Sequence, residues 1–496
     1  MEYRPLEALP IAPLLTPEFD VDPTGVYDKL RDQYGPVAPV DFMGVPVWLV
    51  LGYTEVLDVL RDREVWRRDI RHWRARRERR LPPGWPMLPA YEMRHTMFLD
   101  GDEHDTARRV LHAALAPFRD TRSMRAQDLR STVIQFADEL IGVLAADSGR
   151  AGNADLSAQY IRPLLLMFMN QLYGLPQQLG DDIVLDMWRM LDGGQGAGEA
   201  NGRVLAAMTE LAAYKRKNPG PDLPTSLFES HPTMSDEEMS WELLMNAVYI
   251  TDVTGNLIAN TVLELLRGNT GARTSLSAGL IGETVNRAAL ASPPVANLTY
   301  RFPACDVELG EFLIRTGDMV MASPWAAHGD PLFSTGVASS TTISTRAHLA
   351  WGAGHHQCPS ASRELGTMLV VAAVERLFHH FARVSITMPF EELPWRSGAV
   401  VRGLRFLPVR YELSENSSAL LRHGAPPGGL HAVFRGAAAA TAPSDEPPAV
   451  PPADDDAPPT RTQRLVTAIQ RLMARWDRSN REEDTPKDRA DLPDRA

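Results

Sequence analysis

Residues 348–360 read His348-Leu349-Ala350-Trp351-Gly352-Ala353-Gly354-His355-His356-Gln357-Cys358-Pro359-Ser360. Two glycines, Gly352 and Gly354, stand before a lone cysteine, Cys358, and an apolar run from Met368 to Leu377 follows it. Glycine permits tight turns and close approach of backbone to a flat partner. A cysteine just ahead of a helix sits in the field of that helix's N-terminus, which favours the thiolate. The stretch thus offers one sulfur ligand on a glycine-shaped loop with a helix behind it.

A thiolate held in this way can serve as the axial ligand of haem iron. The order aromatic-Gly-x-Gly-x-His-x-Cys, carried by Trp351, Gly352, Gly354, His356 and Cys358, resembles the haem-ligand loop of the cytochrome P450 family. Tryptophan takes the place of the family's phenylalanine, and Ser360 that of its last glycine. The resemblance implies a mainly α fold with small β-sheets, a triangular helical prism. Haem b would lie between the long distal helix and the proximal Cys loop, with Cys358 as iron ligand and Gly352 shaping the loop.

Composition bounds the alternatives. A chain of 496 residues holds a large core with room for extra segments. Its hydrophobic share of 44% and charged share of 23% are ordinary for a soluble globular protein. A net charge of −12 argues against general nucleic-acid binding. With only Cys305 and Cys358 there is no disulfide framework, which points to a reducing compartment, the cytoplasm. The N-terminus lacks a basic start and a long apolar core, so no signal peptide or anchor is expected. No stretch approaches the ~20 apolar residues that span a bilayer. The soluble bacterial, actinobacterial type of the family fits this profile.

Residues 37–51 read as two short strands joined through Met43-Gly44, and Thr54 to Asp62 as a helix with an apolar face. An arginine cluster follows at 67, 68, 71, 74, 76, 77, 79 and 80, with Trp66 and Trp73 interleaved. Its plain reading is a solvated basic face; its sharper one is an anion site for an acidic substrate or an acidic ferredoxin. Asp102 opens a helix in which His104 and Arg108, four apart, share a face. The resemblance implies that this pair meets a haem propionate. From about 120 to 265 the pattern is almost wholly helical, broken at Gly193-Gly194 and at Asn218-Pro-Gly-Pro.

Leu243 to Leu266 corresponds to the family's long distal helix. The family places small residues, an acid and a threonine there. This chain reads Tyr249-Ile250-Thr251-Asp252-Val253-Thr254-Gly255. Asp252 matches the acid, Val253 replaces the alcohol, and Thr254 lies one residue on. Asp252 and Thr254 are the candidate proton carriers. The family's Glu-x-x-Arg pair has no register here: anchoring on Pro293-Pro294-Val295 gives Arg287 and Leu290, and starting at Glu283 gives Asn286. Losing every partner of an ion network is tolerated better than losing one, so a variant lock is expected. Further on, the resemblance implies that Arg301, His348 and His356 complete a propionate set with His104 and Arg108. Cys305 reads as a buried small hydrophobe.

Beyond Leu413 the character changes. The haem domain is expected over 1–413, then a Pro/Ala-rich disordered linker over 414–462, an amphipathic helix over 463–479 and a loose tail over 480–496. The basic helix, with Leu465, Ile469, Leu472, Met473 and Trp476 on one face, suits an unidentified partner. The resemblance implies a haem-thiolate monooxygenase that inserts one O2-derived oxygen into a small organic substrate. Electrons would come from NAD(P)H through a ferredoxin reductase and a ferredoxin. The alternative, from the altered distal helix and absent Glu-x-x-Arg, is a degenerate haem-binding sensor or interaction protein without turnover.

Overall fold

A six-stranded sheet forms one side of the molecule. It contains β1 (Ala12–Pro13), β2 (Val37–Phe42), β3 (Val45–Val50), β4 (Trp66–Arg67), β5 (Leu298–Pro303) and β6 (Val320–Ala322), in the order β1-β2-β3-β6-β5-β4. The expected hairpin β2–β3 turns through Met43 and Gly44, both left-handed with φ of 57° and 85°. Two positive φ values in a two-residue loop match the twist of the flanking strands. β4 pairs antiparallel with β5, Arg67 opposite Phe302. Continuing that register sets Arg68 across from Arg301, so strand pairing brings together two arginines 233 positions apart in the chain. The computed structural model describes residues 4–417 apart from 177–182, 184–185, 188, 191–195, 269–278, 334–344, 397 and 399.

The remainder is helical. The principal helices are α1 (Pro23–Tyr34), α2 (Tyr53–Arg61), α3 (Gly101–Arg119), α4 (Met124–Ser148), α5 (Arg162–Tyr173), α6 (Ala197–Lys217), α7 (Asp236–Val248), α8 (Thr254–Leu266), α9 (Ile281–Ala291) and α10 (Ser360–His380). A capping box between Ser235 and Glu238 starts α7 earlier than the apolar pattern alone indicated. α7 and α8 run on through a π turn, Tyr249–Val253, as one rod. Thr254 to Leu263 is buried at every position, the signature of a helix crossing the core. The largest apolar cluster joins this rod to α4, α5 and α10, and two smaller clusters lie against the sheet.

α10 follows the cysteine loop directly, so its anchorage positions the site. Tyr160 donates from its hydroxyl to the Ala373 carbonyl at 2.8 Å. At the far end Arg376 grips Asp138 with two donors, and His380 joins the same carboxylate at 3.1 Å while its other nitrogen meets Ser417 at 2.8 Å. Burial opposes ionisation of Asp138, but the hydrogen bonds from His380 and Arg376 outweigh it and hold the carboxyl below its usual range. The stability this contributes is fully present above the unfolded carboxyl value of about 4 and is lost as pH falls through the depressed folded value. Asp138→Asn should therefore cost about 1–3 kcal/mol at pH 7. In denaturant titrations that deficit should shrink once the pH drops below about 4.

Two readings need correction. Cys305 is exposed rather than buried, because it lies in the turn after β5 where the chain leaves the sheet. Half of the arginine cluster is ion-paired: Arg71 pairs with Asp69 and Arg74 with Asp318 at 2.5 Å, Arg76 with Glu92 at 2.7 Å, and Arg80 with Glu7 at 2.5 Å. Those four are not available as one anion site. The expectations for the linker, amphipathic helix and tail beyond residue 417, and for Gly193-Gly194, lie outside the described residues. No helix of the described residues is long and apolar enough to cross a membrane.

Candidate active site

The cysteine loop is a self-braced turn. The Leu349 carbonyl accepts from the Gly352 amide at 2.8 Å, the Gly354 carbonyl from Gln357 at 3.1 Å, and the Trp351 carbonyl from Cys358 at 2.9 Å. Gly352 and Gly354 are left-handed, with φ of 68° and 69°. A Cβ on Gly354 would lie 2.2 Å from the Leu60 carbonyl oxygen, so only glycine lets the loop close on α2. Cys358 is half-buried with a free thiol. Burial pushes that thiol up to about 11, against the pull of the Arg363 and Arg108 guanidiniums. The helix-end field anticipated from the sequence is outweighed here; a coordinating metal would deprotonate the sulfur outright.

The edge between this loop and the sheet carries concentrated positive charge. Arg301 is 3% exposed and donates to the Tyr300 carbonyl at 3.0 Å. Burial, then repulsion from Arg68, holds its pKa well below the usual arginine value. Arg68 is 4% exposed, and its Nε is buried without a partner. The rings of His104 and His356 meet at 4.1 Å. Burial and the neighbouring His355 lower His104 to about 4, and burial lowers His356 as well, so both are neutral at pH 7. Asp105 accepts from the outer side of His104 at 3.4 Å. Arg108 is half-buried within the field of Cys358. A cleft of about 180 Å³ opens here, lined by Trp66, Arg67, Asp100, Arg301, His355 and His356 among others.

Two buried guanidiniums without an acid are costly, by several kcal/mol for each uncompensated ion. Among the described residues neither Arg68 nor Arg301 has a carboxylate within ion-pair distance. Asp100, the acid beside them, accepts instead from the backbone amides of Arg68 at 2.8 Å and Asp69 at 2.7 Å. A flat cofactor whose carboxylates reach this edge would offset the charge of Arg301, which lines the cleft, and its metal, held by Cys358, would use the free sulfur. The residues present therefore fit haem.

On the central rod the family's helix distortion is kept by different residues. Thr254 Oγ1 donates to the Tyr249 carbonyl at 3.1 Å, the acceptor also used by its own amide, and so fastens the π turn. Asp252 is ion-paired with Arg396 and accepts from Asn256 at 3.2 Å. Tyr249 fills a position where the family has a small residue, its hydroxyl 3.1 Å from the Met97 sulfur.

The missing Glu-x-x-Arg has a replacement in neutral groups. On α9, Glu283 and Arg287 face each other at 3.7 Å, four residues apart on one helix. Instead His328, 8% exposed, bridges two segments. Its Nδ1 lies 2.9 Å from the Leu290 carbonyl of α9, and its Nε2 accepts from the Leu349 amide at 2.7 Å. Those partners fix the Nδ1–H tautomer. Burial drives its pKa down to about 3, so the bridge stays neutral. Beside it His348 Nε2 meets Asn286 Oδ1 at 3.3 Å. His348 thereby also joins α9. Sequence reasoning singled out neither Arg68, Arg396 nor the bridging role of His328. Arg68 was hidden in the arginine run, and only the β4–β5 register separates it from its solvated neighbours.

A free sulfur on a braced loop, a π-distorted central helix packed on the helix that follows that loop, and acid-starved arginines suit a haem-thiolate protein, and the site falls in that class. No protein-family model matches the chain. It is 30% identical over 403 residues to cytochrome P450 107B1 of Saccharopolyspora erythraea, covering 77% of this chain and 94% of that one. It is 29% identical to the cytochrome P450 monooxygenase PikC of Streptomyces venezuelae, covering 79% and 92%. Among solved structures, testosterone-bound CYP154C4 from a Streptomyces species superposes with a TM-score of 0.72 at 23% identity, over 82% of this chain and 99% of that one. CYP154A1 of Streptomyces coelicolor gives 0.65 at 26%, over 80% and 99%. The chain belongs to the cytochrome P450 family, whose cofactor is haem and whose members act as monooxygenases.

Proposed function

We propose that this P450 inserts one atom of O2 into a small organic substrate, with electrons passed from NAD(P)H by a ferredoxin reductase and a ferredoxin. The observation that carries the reading is Cys358: a free sulfur on a braced glycine loop, with acid-starved arginines at the adjoining edge. When bound, haem supplies oxygen activation, with the thiolate ligand favouring O–O cleavage.

In this reading Cys358 holds the iron. Arg301, Arg108, His104 and His356 bind the propionates, and Gly352 gives the loop its turn. His348 completes the set through its buried, unpartnered Nδ1, which donates in the Nδ1–H tautomer, with the Asn286 amide turned so that its nitrogen donates to Nε2. Asp252 and Thr254 carry protons on the distal side. Asp252 Oδ1 is held by Arg396 and Asn256, so a swing away from Arg396 would let the carboxylate deliver a proton inward. Thr254 Oγ1, on the carbonyl freed by the π turn, would pass it on. Asp252→Asn should lower product formation about 10²-fold, as loss of a positioned acid does. Reductant consumption should persist, released as peroxide, and the product-to-NADPH ratio is the measurement.

The haem domain of this reading runs over 1–413. Pairing of Pro408–Leu413 with both Phe381–Ile386 and Ala151–Asp155 supports that boundary. Two free thiols suit a cytoplasmic setting. The decisive experiment is turnover with surrogate ferredoxin and reductase under ¹⁸O2, on compounds that shift the Soret band. One labelled oxygen per product molecule is expected. Reduction and O2 uptake that yield only peroxide across the panel would overturn monooxygenation.

A further inference from the structure

We propose that Arg68 is the anchor of a carboxylate-binding site on the distal side of the chamber, and that it selects a substrate bearing a carboxylate. The proposal rests on the haem-thiolate reading above and adds the substrate class to it.

The guanidinium of Arg68 is built in rather than incidental. It lies 5.7 Å from the ring centroids of both Phe98 and Tyr300, which limit its motion and partly offset its charge. Nη2 donates to Thr299 Oγ1 at 2.6 Å. Nε is buried with no partner, so the fork retains unused donors. The nearest acid, Asp100, is engaged by backbone amides. A planar guanidinium with free donors and a deficit of negative charge matches a carboxylate in both geometry and sign.

Two sources of carboxylate exist, the cofactor's propionates and the substrate, and the surroundings separate them. Arg301 lines the cleft together with His355 and His356 of the cysteine loop, and Arg68 does not line it. The guanidinium of Arg68 ends instead at Thr299. Thr299 Oγ1 and the Tyr249 hydroxyl converge on the Met97 sulfur at 3.6 and 3.1 Å. Tyr249 belongs to the π turn of the central rod, and Met97 to the turn Thr96–Phe98 just ahead of α3. Arg301 thus faces the cysteine-loop edge, while Arg68, which also repels Arg301, is anchored toward the central rod through Thr299 and Met97.

The test uses haem-loaded protein and matched probes: decanoic, phenylacetic and 4-phenylbutyric acids, each against its primary amide. Dissociation constants come from the Soret shift and are checked by the rise in melting temperature. At least one acid should bind about tenfold or more tightly than its amide, the worth of a charged hydrogen bond. Arg68→Gln should erase that preference with haem content unchanged, and Arg68→Lys should restore part of it. If no acid binds better than its amide, the proposal is overturned, a result that needs no variant. If Arg68→Gln keeps the acid preference but loses haem, the carboxylate was a propionate and the substrate assignment is overturned. The carbon-monoxide spectrum of the reduced wild type keeps the two claims apart. Without a thiolate-type band the haem-thiolate reading itself fails; with it, only the role of Arg68 is in question.

Discussion

Cys358→Ala, purified and reduced under carbon monoxide, is expected to lose the thiolate-type Soret band of the parent protein entirely, and its product formation should fall to background. The other cysteine, Cys305, is exposed in the turn after β5 and has no place in the site. Haem that remains should show the absorption of neutral or histidine ligation, since His355 and His356 flank the vacated position. The fold should survive. The loop's three backbone hydrogen bonds do not involve the sulfur, and removing one half-buried atom costs at most ~1–2 kcal/mol. A thiolate-type band persisting in the variant would mean that another group holds the iron, and the site as built around this loop would be wrong.

His328→Ala should be strongly destabilising. It strips a buried acceptor from the Leu349 amide and a donor from the Leu290 carbonyl, and leaves a cavity the size of an imidazole. Unpaired buried groups cost about 1–3 kcal/mol each, so a loss of about 2–5 kcal/mol is expected by urea denaturation. A generic core defect would lower stability without singling out the cysteine loop. Loss of this bridge should also speed hydrogen exchange at the Leu349 amide and weaken haem retention. His328→Gln, which can both donate and accept, should recover part of each. Because burial keeps the imidazole neutral down to about pH 3 while the histidine of the unfolded chain takes up a proton near 6.5, wild-type stability should fall as pH drops below about 6.5, and His328→Gln should lose that part of the pH dependence. An unchanged exchange rate at Leu349 would refute the bridge as the substitute for the absent ion pair.

These results place the family's departures in a physical order. Where the family carries a Glu-x-x-Arg pair, α9 is here joined to the start of the cysteine loop by His328 and by the Asn286–His348 contact. Neutral hydrogen bonds avoid the desolvation of buried ions, and replacing all charged partners together leaves no orphan. On the central rod, bulky Tyr249 and Ile250 do not abolish the helix distortion. Thr254 takes the freed Tyr249 carbonyl with both its amide and its hydroxyl, which stabilises the π turn locally.

Local signals determined a good part of this protein. The glycines ahead of Cys358, the hairpin at Met43-Gly44 and the long apolar run to Leu266 each express a backbone or burial preference that neighbouring residues fix. The spacing of His104 and Arg108 put both on one helix turn for the same reason. What the tertiary structure decided are the contacts between segments far apart in sequence. Arg68 and its neighbours in the run are alike as residues, and strand register alone places it across from Arg301. Asp252 reads as a proton carrier either way, but only packing puts Arg396, 144 positions later, on its carboxylate. His348 reads as one of the propionate set, and only folding shows that it also meets Asn286. Cys305 reads as buried and Cys358 as activated by a helix end, and the fold exposes the first and desolvates the second. Propensity and periodicity act over a few residues, whereas desolvation and ion pairing depend on whatever the fold brings within a few ångströms.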